Sequence, residues 1–195
     1  LQIQRASRLM IGEALVHLGH LPAERLGPML DAFKADQAPY SVGVMQQLPD
    51  PLANNRIAPY VLDLLPKLAR RIAGIDLKVG AAQVLVESPP FRYRIALPVH
   101  GHRSLEITLV GDREFCSRVA AATSGLDVDR LDDELMTDGV GEFLNVICGN
   151  AMSALDRDGV QTRLGVPDYC ADLTDGWLFD LATTRGRAAL VLSQF

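Results

Sequence analysis

The stretch Asp138-Gly139-Val140-Gly141-Glu142-Phe143-Leu144-Asn145-Val146-Ile147-Cys148-Gly149-Asn150-Ala151 lies inside residues 131–156, the longest helical pattern in the chain. At 100° per residue, Met136, Val140, Phe143, Leu144, Ile147, Ala151, Ala154 and Leu155 fall on one broad side, which predicts a helix anchored in a core. Asp138, Glu142, Asn145 and Gly149 follow at steps of four, three and four and share an arc of roughly 60° nearly opposite. Every amphipathic helix has a polar face, so plain solvation competes with any functional explanation. The composition of this face argues for more. Asn is a middling helix former and each Gly costs about 1 kcal/mol relative to Ala. Gly141 and Gly149 border the acid and the amide, as though bulk were removed so that another surface can come close.

Outward from this helix, Asp156-Arg157-Asp158-Gly159 provides a stop. Trp177–Thr183 and Arg187–Ser193, joined around Thr184-Arg185-Gly186, are expected to pair as a closing hairpin. On the other side, residues 112–123 read as a helix with Phe115, Val119 and Ala122 on one face. Before them come three apolar-rich segments, Val79–Glu87, Phe91–Val99 and Ser104–Val110. Pro89-Pro90 separates the first two and His100-Gly101-His102 the second two, so a meander of consecutive antiparallel strands is expected. A helix is predicted from Asn54 to Gly74, with Pro59 in its first turn and a kink at Pro66. Strands and helices come in blocks, which points to an α+β fold: an antiparallel sheet with helices on one face. A small helical N-terminal segment precedes it. Residues 9–37 read as two short helices broken at Gly19, with Pro22 suited to the first turn of the second. The Pro-rich stretch from Ala38 to Pro51 reads as a linker, which divides the chain into segments 1–50 and 51–195.

The 195 residues carry a formal charge of −5, with 48% hydrophobic and 22% charged residues, the balance of a globular chain. Non-specific nucleic-acid binding draws on clustered Lys and Arg, so no nucleic-acid partner is expected. No apolar run reaches the roughly 20 residues of a membrane span, and the N-terminus lacks the pattern of a signal peptide, so a cytoplasmic protein without membrane contact is expected. Cys116, Cys148 and Cys170 are odd in number and widely spaced, and read as buried apolar residues. His100-Gly101-His102 reads as turn residues, His17 and His20 as surface residues, and Trp177 and Phe179 as core or interface aromatics.

A carboxylate on a rigid helix can hold a cationic group of a partner, and a carboxamide can donate to and accept from one water molecule. Phosphoryl transfer asks mainly for in-line placement and electrostatic support. The run from Asp138 to Ala151, with Pro167 twenty-two positions after Asn145, resembles the D/S-xxx-E-xx-N signature and downstream proline of the CheC, CheX and FliY chemotaxis phosphatases. The similarity spreads over about 54–195, and one copy of the signature is present, as in CheX. The resemblance implies hydrolysis of the phospho-aspartate on a CheY-like response regulator. Glu142 would pair with the regulator's lysine and Asn145 would orient the attacking water. Magnesium would belong to the regulator, the protein having no cofactor of its own. Asp138, Gly141, Gly149 and Pro167 would support the motif, and a homodimer is implied. Residues 8–37 are similar to one repeat of the MshEN type, some examples of which bind cyclic di-GMP. Two alternatives stand beside the enzyme: a module that binds a receiver domain or joins a signalling complex without hydrolysis, and a regulator answering cyclic di-GMP through the N-terminal segment.

Overall fold

The computed structural model describes residues 11–37, 48–101 and 103–195. Two compact units are present, Leu1–Pro39 and Tyr40–Phe195. In the first, α1 (Ile11–His17) and α2 (Ala23–Gln37) are joined through Gly19, whose φ of +73° suits glycine. Gly12 lets the two helices close, because a Cβ there would stand 2.6 Å from Leu26 Cδ1. Pro22 precedes α2 rather than lying in its first turn; it is Pro28 that sits inside the helix. Residues 9 and 10, and most of the stretch read as a linker, lie outside the described residues. Its end carries a short helix, α3 (Asp50–Ala53).

The second unit continues with α4 (Ile57–Leu68) and a π turn, Ala69–Ala73, that ends at Gly74 with φ +65°. The fully buried Asn55 starts α4: its Oδ1 accepts from the amides of Ile57 (2.8 Å) and Ala58 (3.2 Å), while its Nδ2 donates to the Arg103 carbonyl at 3.0 Å. Pro66 lies within the helix, and the regular i to i−4 ladder gives way to the π turn three residues later. Strands β1 (Leu77–Val84), β2 (Tyr93–His100) and β3 (Leu105–Gly111) follow, then α5 (Arg113–Ser124), a 3-10 turn at Val128–Arg130, and α6 (Asp133–Arg157). The short β4 (Arg163–Leu164), β5 (Trp177–Thr183) and β6 (Ala188–Gln194) complete the unit.

The six strands form one sheet in the order β1-β5-β6-β3-β2-β4, and every pairing is antiparallel. One face carries Ile95, Leu97 and Val99 of β2, Ile107 and Leu109 of β3, and Leu190 and Leu192 of β6 into the main core, beneath the helices. The other face holds a smaller apolar cluster in which Val110, Ala189 and Val191 meet Leu85 and Leu173 from loops. The α+β class with helices on one face is therefore as expected. The meander is not. β2 and β3 do pair, but β1 pairs with β5 and never with β2. The β5–β6 hairpin takes the middle of the sheet, which its burial allows: β6 is buried at five consecutive positions, as a central strand under two apolar layers must be. Eight residues including Pro89-Pro90 separate β1 from β2, too many for a tight hairpin, and they carry the chain across the sheet to the place between β3 and β4.

Candidate functional site

α6 begins where Asp132 accepts from the Leu135 amide at 2.8 Å, a side-chain cap that relieves one unpaired N–H. In its first turn Asp133 gathers three donors. Tyr93 Oη donates to Oδ1 at 2.7 Å, Arg113 Nη1 donates to the same oxygen at 2.9 Å, and Arg92 pairs with Oδ2. The Tyr93 hydrogen bond, with the two guanidinium groups, holds the Asp133 carboxyl below the usual range, against a smaller opposing effect of desolvation. Burial, then the bond to Asp133, pushes the Tyr93 phenol up. At the far end Tyr60 Oη donates to Asp158 at 2.6 Å, just past the last turn, and this bond raises the Tyr60 phenol. Both ends of α6 are thus tied to other elements.

α5 crosses close beside α6. A Cβ on Gly139 would lie 2.6 Å from both Cα and Cβ of Ala120, and Thr123 Oγ1 donates to the Gly139 carbonyl at 3.0 Å. The close crossing forms an open groove. Thr123 and Ser124 form one side, Leu135, Asp138, Glu142 and Asn145 line it from α6, and Tyr169 closes one rim. Asp138 and Glu142 are exposed and Asn145 is half-buried. Among the described residues, Glu142 and Asn145 have no hydrogen-bond or ion-pair partner. The acid, the amide and Asp138 are therefore brought together.

Gly149 has open space where a side chain would stand, but Gly141 does not. A Cβ on Gly141 would meet the Tyr169 ring at 3.0 Å from Cε1 and 3.1 Å from Oη. Gly141 seats an aromatic ring instead of leaving a gap. Pro167 lies just before the bridge between Asp168 and Ala96, where each amide donates to the other's carbonyl at 2.8 Å, and so in the segment that delivers Tyr169. Sequence reasoning missed Tyr169, and with it the groove residues Thr123, Ser124 and Leu135.

Cys116 and Cys148 are buried, and desolvation pushes both thiols up to about 12. Cys170, expected to be buried, is exposed, because it belongs to the loop beside Tyr169 and not to a regular element. His100 ends β2 edge-to-face with Phe195, their centroids 5.5 Å apart, and Gly101 occupies the bend; His102 lies outside the described residues. Phe179 is fully buried, and Trp177 packs partly buried on the core. Among the described residues no three His, Cys, Asp or Glu side chains gather as a metal site, and no helix is long and apolar enough to cross a membrane.

Residues 94–174 match the model of a family described as Chemotaxis phosphatase CheX. The match spans the whole run from Asp138 to Pro167 and bears out the resemblance to the CheX, CheC and FliY proteins. The fold is similar to that of a chemotaxis protein CheX from Desulfovibrio desulfuricans, with TM-score 0.56 and 19% identity over 72% of this chain and 100% of that one. CheX from Vibrio vulnificus gives TM-score 0.58 and 15% identity over 72% and 100%. A chain of the CheX-CheY-BeF3-Mg2+ complex from Borrelia burgdorferi gives 0.55 and 16% over 69% and 94%. No curated protein matches the chain.

Proposed function

We propose that the protein hydrolyses the phospho-aspartate of a CheY-like response regulator, with Asn145 placing the attacking water and Glu142 pairing with the regulator's lysine. The observation that carries this reading is the open groove in which an exposed carboxylate and a half-buried carboxamide stand one turn apart with no partners of their own. A polar side chain left unpaired on a helix tied down at both ends is held ready for an external partner at little further cost in entropy. The family described as Chemotaxis phosphatase CheX, and a fold shared with a chain of a CheX-CheY complex, support the choice of partner.

In the proposed step the Asn145 carboxamide accepts from the water with Oδ1 and fixes its lone pair toward phosphorus with Nδ2. The new bond forms between the water oxygen and phosphorus. The bond between phosphorus and the regulator's aspartate oxygen breaks, the aspartate leaves as a carboxylate, and the water's proton passes to the released phosphate. Glu142 contributes by neutralising and locating the lysine ammonium, which is capture more than chemistry. Magnesium, which offsets charge on the phosphoryl oxygens in such transfers, is assigned to the regulator. The homodimer implied by the resemblance is part of this proposal, and light scattering on the purified protein checks it.

A non-catalytic receiver-binding module would use the same groove without turnover. Incubation with a panel of phosphorylated receiver domains separates the two: faster phosphate loss from at least one receiver supports hydrolysis, and binding without acceleration supports the module.

A further inference from the structure

Resting on the receiver-domain reading of the groove, we propose that Tyr169 is a docking residue whose ring packs against the visiting receiver beside Glu142 and Asn145. Tyr169 is 43% exposed, yet its place is fixed. The two 2.8 Å backbone hydrogen bonds between Ala96 and Asp168 hold the segment to the edge of β2, and Asp168 Oδ1 accepts from the Cys170 amide at 2.9 Å. The residue between these anchors cannot wander far.

Its ring rests on α6 at Gly141, the position immediately before Glu142 and one turn before Asn145. Any larger residue at 141 would push against the ring. A glycine inside a helix costs stability, and here it admits the aromatic ring to the edge of the acid and amide. Tyr169 is not thereby drawn into the core. Much of its surface remains in solvent, and among the described residues its hydroxyl has no hydrogen-bond partner. Leu135, 37% exposed, lines the same groove from α6 and supplies a second apolar side chain.

Charge in the middle with apolar and aromatic groups at the rim is suited to a protein partner. Tyrosine offers a large rigid surface with a polar tip and loses little conformational freedom on contact, which is why it concentrates in the energetic centres of interfaces. A phosphoryl group alone would have no use for the ring. The occupant is accordingly the protein surface around the phospho-aspartate, and Tyr169 acts on capture while Asn145 acts on turnover.

The test titrates the full chain with CheY-type receiver domains activated by beryllofluoride and Mg2+, and measures KM and kcat separately on the phosphorylated forms. Tyr169→Ala is expected to weaken binding and raise KM by about tenfold or more, with kcat held near wild type. Tyr169→Phe is expected to keep most of the affinity. Gly141→Ala, which displaces the ring without removing it, is expected to weaken binding in the wild-type background. In a folded Tyr169→Ala background it should leave binding unchanged and raise the melting temperature. If Tyr169→Ala is poorly folded, Gly141→Ala in the otherwise wild-type protein carries the test alone, and a wild-type Kd in that folded variant overturns the docking role. A folded Tyr169→Ala protein with wild-type Kd and KM overturns the docking role and leaves the Glu142 and Asn145 reading standing. Wild-type protein that binds no activated receiver overturns both. Loss of kcat with unchanged KM in Tyr169→Ala also overturns the docking role, because it would place the residue in the chemistry.

Discussion

Asn145 is half-buried and makes no internal hydrogen bond among the described residues, so its replacement leaves the fold without an orphaned partner. Asn145→Ala is expected to keep the wild-type melting temperature and lose phosphatase stimulation by about 100-fold or more, the scale of effect that follows loss of correct placement. Glu142→Ala is expected to act mainly on capture, raising KM by about tenfold and making it less sensitive to salt. Steady-state assays across ionic strength distinguish the two. Thiol chemistry gives a separate check on the structure: a colorimetric thiol reagent should find Cys170 in the native protein, and all three thiols only after denaturation. Burial keeps Cys116 and Cys148 protonated and out of reach. The acid and amide were legible in the sequence because a spacing of three on a helix fixes their common face before any tertiary structure is known. Tyr169 was not. It stands twenty-four positions after Asn145 in a loop without periodicity, and only the folded chain brings its ring to Gly141.

At the scale of elements, the groove depends on how closely α5 and α6 cross. Gly139→Ala is expected to destabilise the protein by about 1–3 kcal/mol in chemical denaturation despite its better helix propensity, since the new methyl group meets the backbone of Ala120 and cannot be accommodated by a rotamer change. The anchor at the start of α6 gives a pH signature. Asp133 is held below the ordinary carboxylate range, so its ionised form stabilises the fold. That contribution is fully present above the unfolded carboxyl range near pH 4 and is lost as pH falls through the lower folded value. The stability difference between wild type and Asp133→Asn should therefore be constant near neutrality and shrink on acidification. A difference that instead grew in acid would contradict the hub of Tyr93, Arg92 and Arg113. Helix α6 was readable almost to its ends, because apolar spacing and the Asp156-to-Gly159 stop are local features. The cap on α4 was less so: Asn55 serves both the first turn and the distant Arg103 carbonyl, and the second role is visible only in three dimensions.

At the scale of the molecule, the second unit closes its own main core from α3 to β6, with Leu52, Leu62, Ile107, Phe143 and Leu190 all fully buried. A fragment of residues 48–195 is expected to unfold in one cooperative transition by circular dichroism, with a midpoint close to that of the full chain. Five of the six strands were legible, the two-residue β4 being too short to leave a pattern, but strand order was not. Alternation says which face of a strand is buried and is silent on its neighbour, so the insertion of the β5–β6 hairpin between β1 and β3 could not be read from the chain. The position of α6 over the sheet follows from that order, and the groove with it. The most direct measurement of what this arrangement does is the decay of a phosphorylated CheY-type receiver in the presence of wild-type protein and of Asn145→Ala at equal concentration. Decay accelerated by the wild type, and indistinguishable from the receiver's own rate with Asn145→Ala, is the predicted result. Equal acceleration by both proteins would contradict it.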